Sequence, residues 1–364
     1  MKIIIDKNIP YIQGALEDVA EVVYLPAKEM TPETVKNADA LIIRTRTKCN
    51  KTLLDQSSVK IITTATIGYD HIDTEYCEKK GIKWLNSPGC NAYSVVQYIA
   101  SVLSFLSKKQ SVNLSTKTIG IVGVGAVGSK IAVLAKSFGM NVLLNDPPRA
   151  RKEGSEGFVT LNEICENADI ITFHPFLNME GIDKTFHLAD EIFFNSLKKK
   201  PIIINASRGE VVDANCLLSA IETGKISEVI LDCWENEPDI NVELLGKCLL
   251  ATPHIAGYSA DGKANATTQC VQNVSRFLNL GKDNWEAENL ELPPHTEFIS
   301  DDILDFFLQT YDIESDTKTL KNSPETFEQQ RSDYWFRREP KGYISMMSEN
   351  LLNKCKNDFN IFFQ

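Results

Sequence analysis

TIGIVGVGAVGSKIAVLAKSFG (118–139) decides the reading of this chain. An apolar run, TIGIV, leads into Gly123, Gly125 and Gly128 in a GxGxxG pattern. A helix with Val127, Ile131, Leu134, Ala135 and Phe138 on one face follows. The first glycine makes the tight turn, and the second lets backbone N–H groups approach a pyrophosphate. The third allows close helix–strand packing, and the helix N-terminus attracts the anion. Asp146 stands 18 residues beyond Gly128, at the end of the next expected strand. A carboxylate there can accept from a ribose diol and would repel a 2′-phosphate, which favours NAD over NADP; Arg149 and Arg151 weaken that preference.

Outward from this turn, short β-branched runs alternate with helix-period segments. Expected strands at 2–5, 20–25, 40–43 and 60–64 form one series. Those at 117–122, 141–145, 169–173, 201–205, 228–233 and 249–251 form a second. Such alternation predicts parallel sheets built from βαβ units. Helical patterns fill 91–109 and 259–280. After Leu280 an acidic stretch ending in Pro293–Pro294 reads as a linker. The remaining residues hold an apolar helix (Ile303, Leu304, Phe306, Phe307, Leu308) and the aromatic, basic run DYWFRRE. A piece that small needs a partner surface, so it reads as an appended interaction domain.

Composition narrows the class. The chain has 364 residues, 43% hydrophobic and 24% charged, as expected of a multidomain globular protein. No apolar run is long enough to span a bilayer, and MKIIIDKNIP lacks a signal-peptide core. A net charge of −11 disfavours nucleic acid. Nine scattered cysteines, odd in number and without a CxxC pair, form neither a zinc framework nor a disulfide ladder and read as reduced thiols in a cytoplasm, and no histidine–carboxylate spacing suggests a metal site.

Three segments close or follow expected strands: INASRGEVVD (204–213), LDCWENEP (231–238) and TPHIAGY (252–258). Ligands bind beyond the carboxyl ends of strands in such sheets, so these segments can converge. They carry Arg208, able to clamp a carboxylate; His254, able to move a proton near neutral pH; and Glu237, able to hold the imidazole tautomer. That set suits hydride removal from a 2-hydroxy acid.

ATIGYDHID (65–73), SPGCNAYSVVQY (87–98), GIVGVGAVG (120–128), NASRGEVVD (205–213), DCWENEP (232–238) and TPHIAGY (252–258) carry a resemblance to the D-isomer-specific 2-hydroxyacid dehydrogenases over residues 1–280. The resemblance implies a discontinuous flavodoxin-like substrate domain (1–95 plus 257–285) and a Rossmann NAD domain (96–256). A small α+β C-terminal dimerisation domain (286–364) completes the chain. It implies Arg208 as carboxylate anchor, His254 as acid/base and Glu237 as its partner. Cofactor contacts would come from Gly123, Gly125, Val127, Gly128, Asp146, Ala206, Ser207, Arg208, Asp232, His254 and Gly257. Substrate contacts would come from Thr45, Thr66 and Tyr258.

Position 45 usually holds serine in that family, FHPFLN (173–178) replaces its His-Thr-Pro, and Gln97 stands where many members have glutamate. IIRTRTKCN (42–50), LLNDPPRA (143–150) and the tail motifs TYDIESD and YWFRRE narrow the resemblance to a branch acting on a phosphorylated 2-hydroxy acid, as a homodimer. If RTRTK stays extended, Arg44, Arg46 and Lys48 share one face and can grip the phosphate. Arg337 and Arg338 are a second candidate, reaching a partner subunit, with surface charge as the plainer alternative. Among the other histidines, His71 is expected to support the fold, His174 to line the cofactor site, and His187 and His295 to lack partners; Cys90 is expected to be a packed thiol. Rival readings are another dehydrogenase of the same family and a non-catalytic NAD-sensing binding protein on the same fold.

Overall fold

The computed structural model describes residues 1–293, 298, 300–334 and 337–362. Pro294 of the expected linker, His295, and Trp335 and Phe336 of the aromatic run lie outside the described residues. The chain forms two units, residues 1–91 with 259–292, and residues 92–258 with 293–364.

In the first unit, β1 (Lys2–Asp6), β2 (Glu21–Leu25), β3 (Ala40–Ile43), β4 (Ile61–Thr64) and β5 (Lys83–Leu85) form a parallel sheet. Their order is β2-β1-β3-β4-β5. β1, β3 and β4 are buried on both faces, which is why they read as continuous apolar runs rather than alternating ones. Ile3 and Ile5 pack with Cys270, Val271 and Val274 of helix Ala260–Leu278, while Ile4, Leu41 and Ile62 pack with Leu53 and Cys77 on the opposite face. Ser259 starts the long helix by accepting from the Gly262 amide at 2.8 Å.

In the second unit, β6 (Thr118–Val122), β7 (Asn141–Asn145), β8 (Ile170–Phe173), β9 (Ile202–Asn205), β10 (Glu228–Leu231) and β11 (Leu250–Ala251) form a six-stranded parallel sheet. The order is β11-β10-β9-β8-β6-β7, so the winding reverses beside β6, where such sheets take ligands. Ile119, Ile121 and Ile204 pack with helices Ala92–Lys109 and Gly128–Ser137. Ile171, Ile203 and Val229 pack on the other side with Ile164 and Leu217, from helices Leu161–Asn167 and Ala214–Glu222.

The tail differs from the α+β expectation. Its described residues form helices at Ile303–Thr310, Ile313–Asn322, Phe327–Ser332 and Glu349–Asp358, and no strand is named among them. It also does not stand apart: Phe306, Phe307, Tyr311, Tyr343 and Phe359 share one core with Tyr98 and Leu103 of helix Ala92–Lys109. At about 1.5–3 kcal/mol per fully buried large apolar side chain, these five contribute on the order of 10 kcal/mol of gross attachment. Ser101 donates to the Phe307 carbonyl at 3.0 Å, and Lys108 pairs with Asp302 and Asp305 at 2.7 and 3.0 Å. The partner surface that this short segment needs is its own nucleotide-binding unit.

Candidate active site

The glycine turn has the form that a dinucleotide demands. Gly123 adopts φ 86°, and a Cβ on it would meet the Pro175 nitrogen at 2.4 Å. A Cβ on Gly128 would lie 2.0 Å from the Gly123 carbonyl oxygen, whereas one on Gly125 meets nothing within 4 Å. The first and third glycines are therefore compelled by packing, and the second leaves open space over the turn. Asp146 accepts from the Val124 amide at 2.8 Å and, as cap of helix Pro147–Glu153, from the Arg149 amide at 3.0 Å. Arg149 is bound to Glu153 and the Val124 carbonyl, and Arg151 to Asp183. Both arginines that could have welcomed a 2′-phosphate are paired with acids. Beside the turn, His174 shares a proton with the Thr172 hydroxyl at 2.7 Å, and its buried Nδ1 has no hydrogen-bond partner among the described residues. Burial pushes its imidazole down to about 3, so the ring is neutral. These residues fit a bound NAD.

Three strand-end loops of the same unit meet as the sequence segments predict. After β9, the Asn205 side chain accepts from the Ser207 amide and hydroxyl at 3.1 and 2.9 Å and donates to the Arg208 carbonyl at 2.8 Å. This folds the loop and presents Arg208, one of whose Nη groups bonds the Ser207 carbonyl at 2.8 Å. After β10, Asp232 is buried and ties down the third loop. Its carboxylate accepts from the Thr252 hydroxyl at 2.7 Å and from the Ile255 and Ala256 amides at 2.7 and 3.0 Å. Burial raises this carboxyl above its ordinary range despite those bonds.

His254 closes the arrangement. Its backbone takes φ 56°, the left-handed region, and its amide donates to the Asp232 carbonyl at 2.7 Å. Such a conformation costs a non-glycine residue about 1–3 kcal/mol and persists only where surrounding bonds over-determine it. Here it turns the ring so that Nδ1 meets Glu237 Oε2 at 2.8 Å, leaving Nε2 as the nitrogen for proton exchange. Glu237 Oε1 accepts from the Trp234 amide at 2.8 Å. Burial pushes the Glu237 carboxyl up, but His254, the Trp234 amide and Arg331 outweigh it and hold the group below its ordinary value. Glu237 is a carboxylate at neutral pH.

Cys233, Glu237 and His254 bring possible metal-ligand atoms within 4.8 Å of one another. The Cys233 thiol donates to the Ser207 carbonyl, and burial together with Asp232 and Glu237 holds it well above its ordinary value, so it offers no thiolate.

Other sequence expectations fare variously. The RTRTK segment is a turn, with the Thr47 amide bonded to the Arg44 carbonyl at 3.2 Å, so Arg44, Arg46 and Lys48 do not line one face of an extended chain. Arg44 turns back to the buried Asp6 at 3.2 Å, while Thr45 and Arg46 are exposed. Thr66 donates to the Gly68 carbonyl and is linked through Thr64 to His71, which supports this segment as expected. Tyr258 lies edge-on to Tyr334 at 6.2 Å. His187 does have partners, Asp213 and Glu235. Cys90 is buried.

Arg337 is the largest correction. It is neither a surface charge nor available to a partner subunit: it is 0% exposed. Its guanidinium bonds Gln97 Oε1 at 3.0 Å and the carbonyls of Ser94, Ile255 and Ala256 at 3.2, 3.2 and 2.7 Å. Gln97 also donates to the Arg338 carbonyl at 3.0 Å, so this glutamine, at a position where many family members have glutamate, anchors the tail. The sequence reading missed Arg331 too. Its Nη1 stands 4.0 Å from Glu237 Oε2, and nothing in RSDYWFRRE signals that approach.

Residues 100–256 match the D-isomer specific 2-hydroxyacid dehydrogenase, NAD binding domain. An erythronate-4-phosphate dehydrogenase of Bacteroides thetaiotaomicron is 53% identical over 344 residues, 94% of this chain and 98% of that protein. Its namesake in Porphyromonas gingivalis is 42% identical, over 94% of this chain and 95% of its own length. Among solved structures, D-lactate dehydrogenase from Aquifex aeolicus, complexed with NAD and lactic acid, superposes with TM-score 0.64 at 26% identity. It covers 79% of this chain and 100% of that one. The NAD+-bound 3-phosphoglycerate dehydrogenase of Entamoeba histolytica gives TM-score 0.64 at 25% identity, over 80% and 99%. The glycine turn, the His254–Glu237 pair and a match that runs through the tail agree: the chain belongs to the D-isomer-specific 2-hydroxyacid dehydrogenase family, among its erythronate-4-phosphate dehydrogenases.

Proposed function

We propose that this chain oxidises 4-phospho-D-erythronate at C2 with NAD, forming 2-oxo-3-hydroxy-4-phosphobutanoate on a route to pyridoxal 5′-phosphate. The observation that carries the chemistry is the 2.8 Å bond from His254 Nδ1 to Glu237. The choice of substrate rests on relatives of that name matched over 94% of the chain.

Arg208 offers its guanidinium fork to the C1 carboxylate, holding C2 in place. Neutral His254 takes the C2 hydroxyl proton at Nε2, and Glu237 steadies the resulting imidazolium through Nδ1. In the reverse direction the protonated ring returns that proton. NAD supplies the hydride acceptor. Gly123, Gly125, Val127 and Gly128 would hold its pyrophosphate and Asp146 its ribose diol. Ala206, Ser207, Arg208, Asp232, His254 and Gly257 would contact the rest. Thr45, Thr66, Tyr258 and the basic residues Arg44 and Arg46 are assigned to the substrate, the last two to its phosphate.

The chain is further proposed to be a cytoplasmic homodimer paired through its tail. None of the nine cysteines forms a disulfide and eight are buried, which suits a reducing compartment. No helix of the described residues is long and apolar enough to cross a membrane. The apolar face of the tail is already buried, so a second copy would meet its outer side; sedimentation velocity tests this.

The function is tested by mixing protein, NAD and 4-phospho-D-erythronate and following near-ultraviolet absorbance, with a 2-oxo acid added in parallel to reoxidise retained cofactor. Turnover well above that with 3-phosphoglycerate or unphosphorylated erythronate is expected. Turnover with another hydroxy acid would overturn the substrate. Silence with every acid, despite bound NAD, would favour the sensor reading.

A further inference from the structure

Arg331 lies on the short tail helix Phe327–Ser332. Its Nη1 stands 4.0 Å from Glu237 Oε2, the same oxygen that accepts from His254 Nδ1. Its other acidic neighbour is Glu328, 3.6 Å away and one turn earlier. Its Nε is buried with no hydrogen-bond partner among the described residues. A donor left in that state costs about 1–3 kcal/mol, so packing alone does not account for the residue. Four ångströms is beyond a hydrogen bond but well within reach of charge: through partly buried surroundings such a pair interacts strongly.

We infer that Arg331 is a positioning residue that acts through Glu237, its charge offsetting part of the carboxylate's hold on the His254 imidazolium. The idea rests on the dyad reading above. The Glu237 carboxylate attracts the charge that His254 gains when it takes the substrate's proton. A fixed cation behind the carboxylate weakens that pull without touching the substrate. Charged or titratable groups around the dyad among the described residues include Glu328 on the same helix and Asp232 and Cys233 in the strand-end loop, with Arg208 acting on Cys233. Among the described residues Arg331 is the arginine or lysine within 4.0 Å of the Glu237 carboxylate, and it comes from the tail. The tail is thereby part of the proton-transfer machinery and not only an attachment.

The test is the pH dependence of kcat/KM for oxidation, measured for the wild type, R331Q, R331K, E328Q and E237Q, with folding checked by thermal melts. R331Q should move the acidic limb upward by about half to one pH unit, and R331K should restore it. E328Q, which removes a partly exposed carboxylate that competes for Arg331, should move the limb the other way. That variant decides the matter if R331Q does not fold. E237Q should move the limb downward; if it leaves the limb in place, the dyad reading itself fails. If E237Q shifts the limb while R331Q and E328Q do not, the function stands and the role of Arg331 is wrong. A rise in KM for 4-phospho-D-erythronate with R331Q, at an unmoved limb, would make Arg331 a phosphate contact and overturn the positioning role.

Discussion

Gly209 sits so close to Trp234 that a Cβ on the glycine would lie 1.9 Å from the tryptophan's carbonyl carbon and 2.0 Å from its oxygen. That approach holds the Arg208 loop against the Glu237 loop. The clashing atoms are backbone, which cannot swing aside as a flexible side chain can. G209A should therefore lower the melting temperature by several degrees and cut kcat by about 10²-fold through misplaced loops. An alanine variant with wild-type kcat would show that the loops tolerate separation.

H254N should lower kcat by about 10²–10⁴-fold while NAD still binds, since the imidazole moves a proton and the glycine turn holds the cofactor. Cofactor binding, followed by quenching of protein fluorescence, separates the two effects. Loss of binding and of turnover together would contradict this division of labour.

Glu237 gives a pH signature in stability. Its carboxyl is held below 4.5 in the folded chain. The resulting stabilisation is fully present above the unfolded value and is lost as pH falls through the lowered folded one. Urea titrations of wild type against E237Q should show the wild-type advantage shrinking below about pH 4.5. An advantage that grows on acidification would reverse the sign.

Asp316 should show the opposite trend. Burial pushes its carboxyl up to about 6, with partial relief from Tyr311, Arg337 and Tyr334. The folded chain then binds a proton where the unfolded chain has released it, so wild-type stability should fall as pH rises from about 4 to 6. That displacement is worth about 2–3 kcal/mol. D316N should flatten that slope; an unchanged slope would contradict the assignment.

Arg337 binds helix Ala92–Lys109 and the loop that follows His254 into one body, and its guanidinium also covers the Tyr311 ring with 4.2 Å to the centroid. Removing a buried charge from such a network leaves several acceptors unpaired. R337M should cost about 3–5 kcal/mol and lower kcat with it, and R337K should recover little because an ammonium has no fork. Denaturant midpoints would measure the first effect.

The glycine turn, both sheets, the convergence of the three strand-end loops and the His254–Glu237 pair are legible because each begins from a local pattern at a strand end. β5 escaped because KWL is three residues long and too short to show a period. RTRTK alternates like a strand, yet it turns, because Arg44 bends back to an aspartate 38 residues earlier. Gln97, Arg331 and Arg337 act on groups up to 243 residues away. No spacing rule reaches that far. The apolar helix at 303–310 was visible, but its burial against the same chain depends on tertiary packing alone.

Hydride removal from C2, with the hydroxyl proton passing to His254, can be followed with 4-phospho-D-erythronate deuterated at C2, NAD and the intact protein in ordinary water. Deuterium should appear in the reduced nicotinamide, with a primary isotope effect in a single turnover. Deuterium released to water, or left in the product, would contradict it.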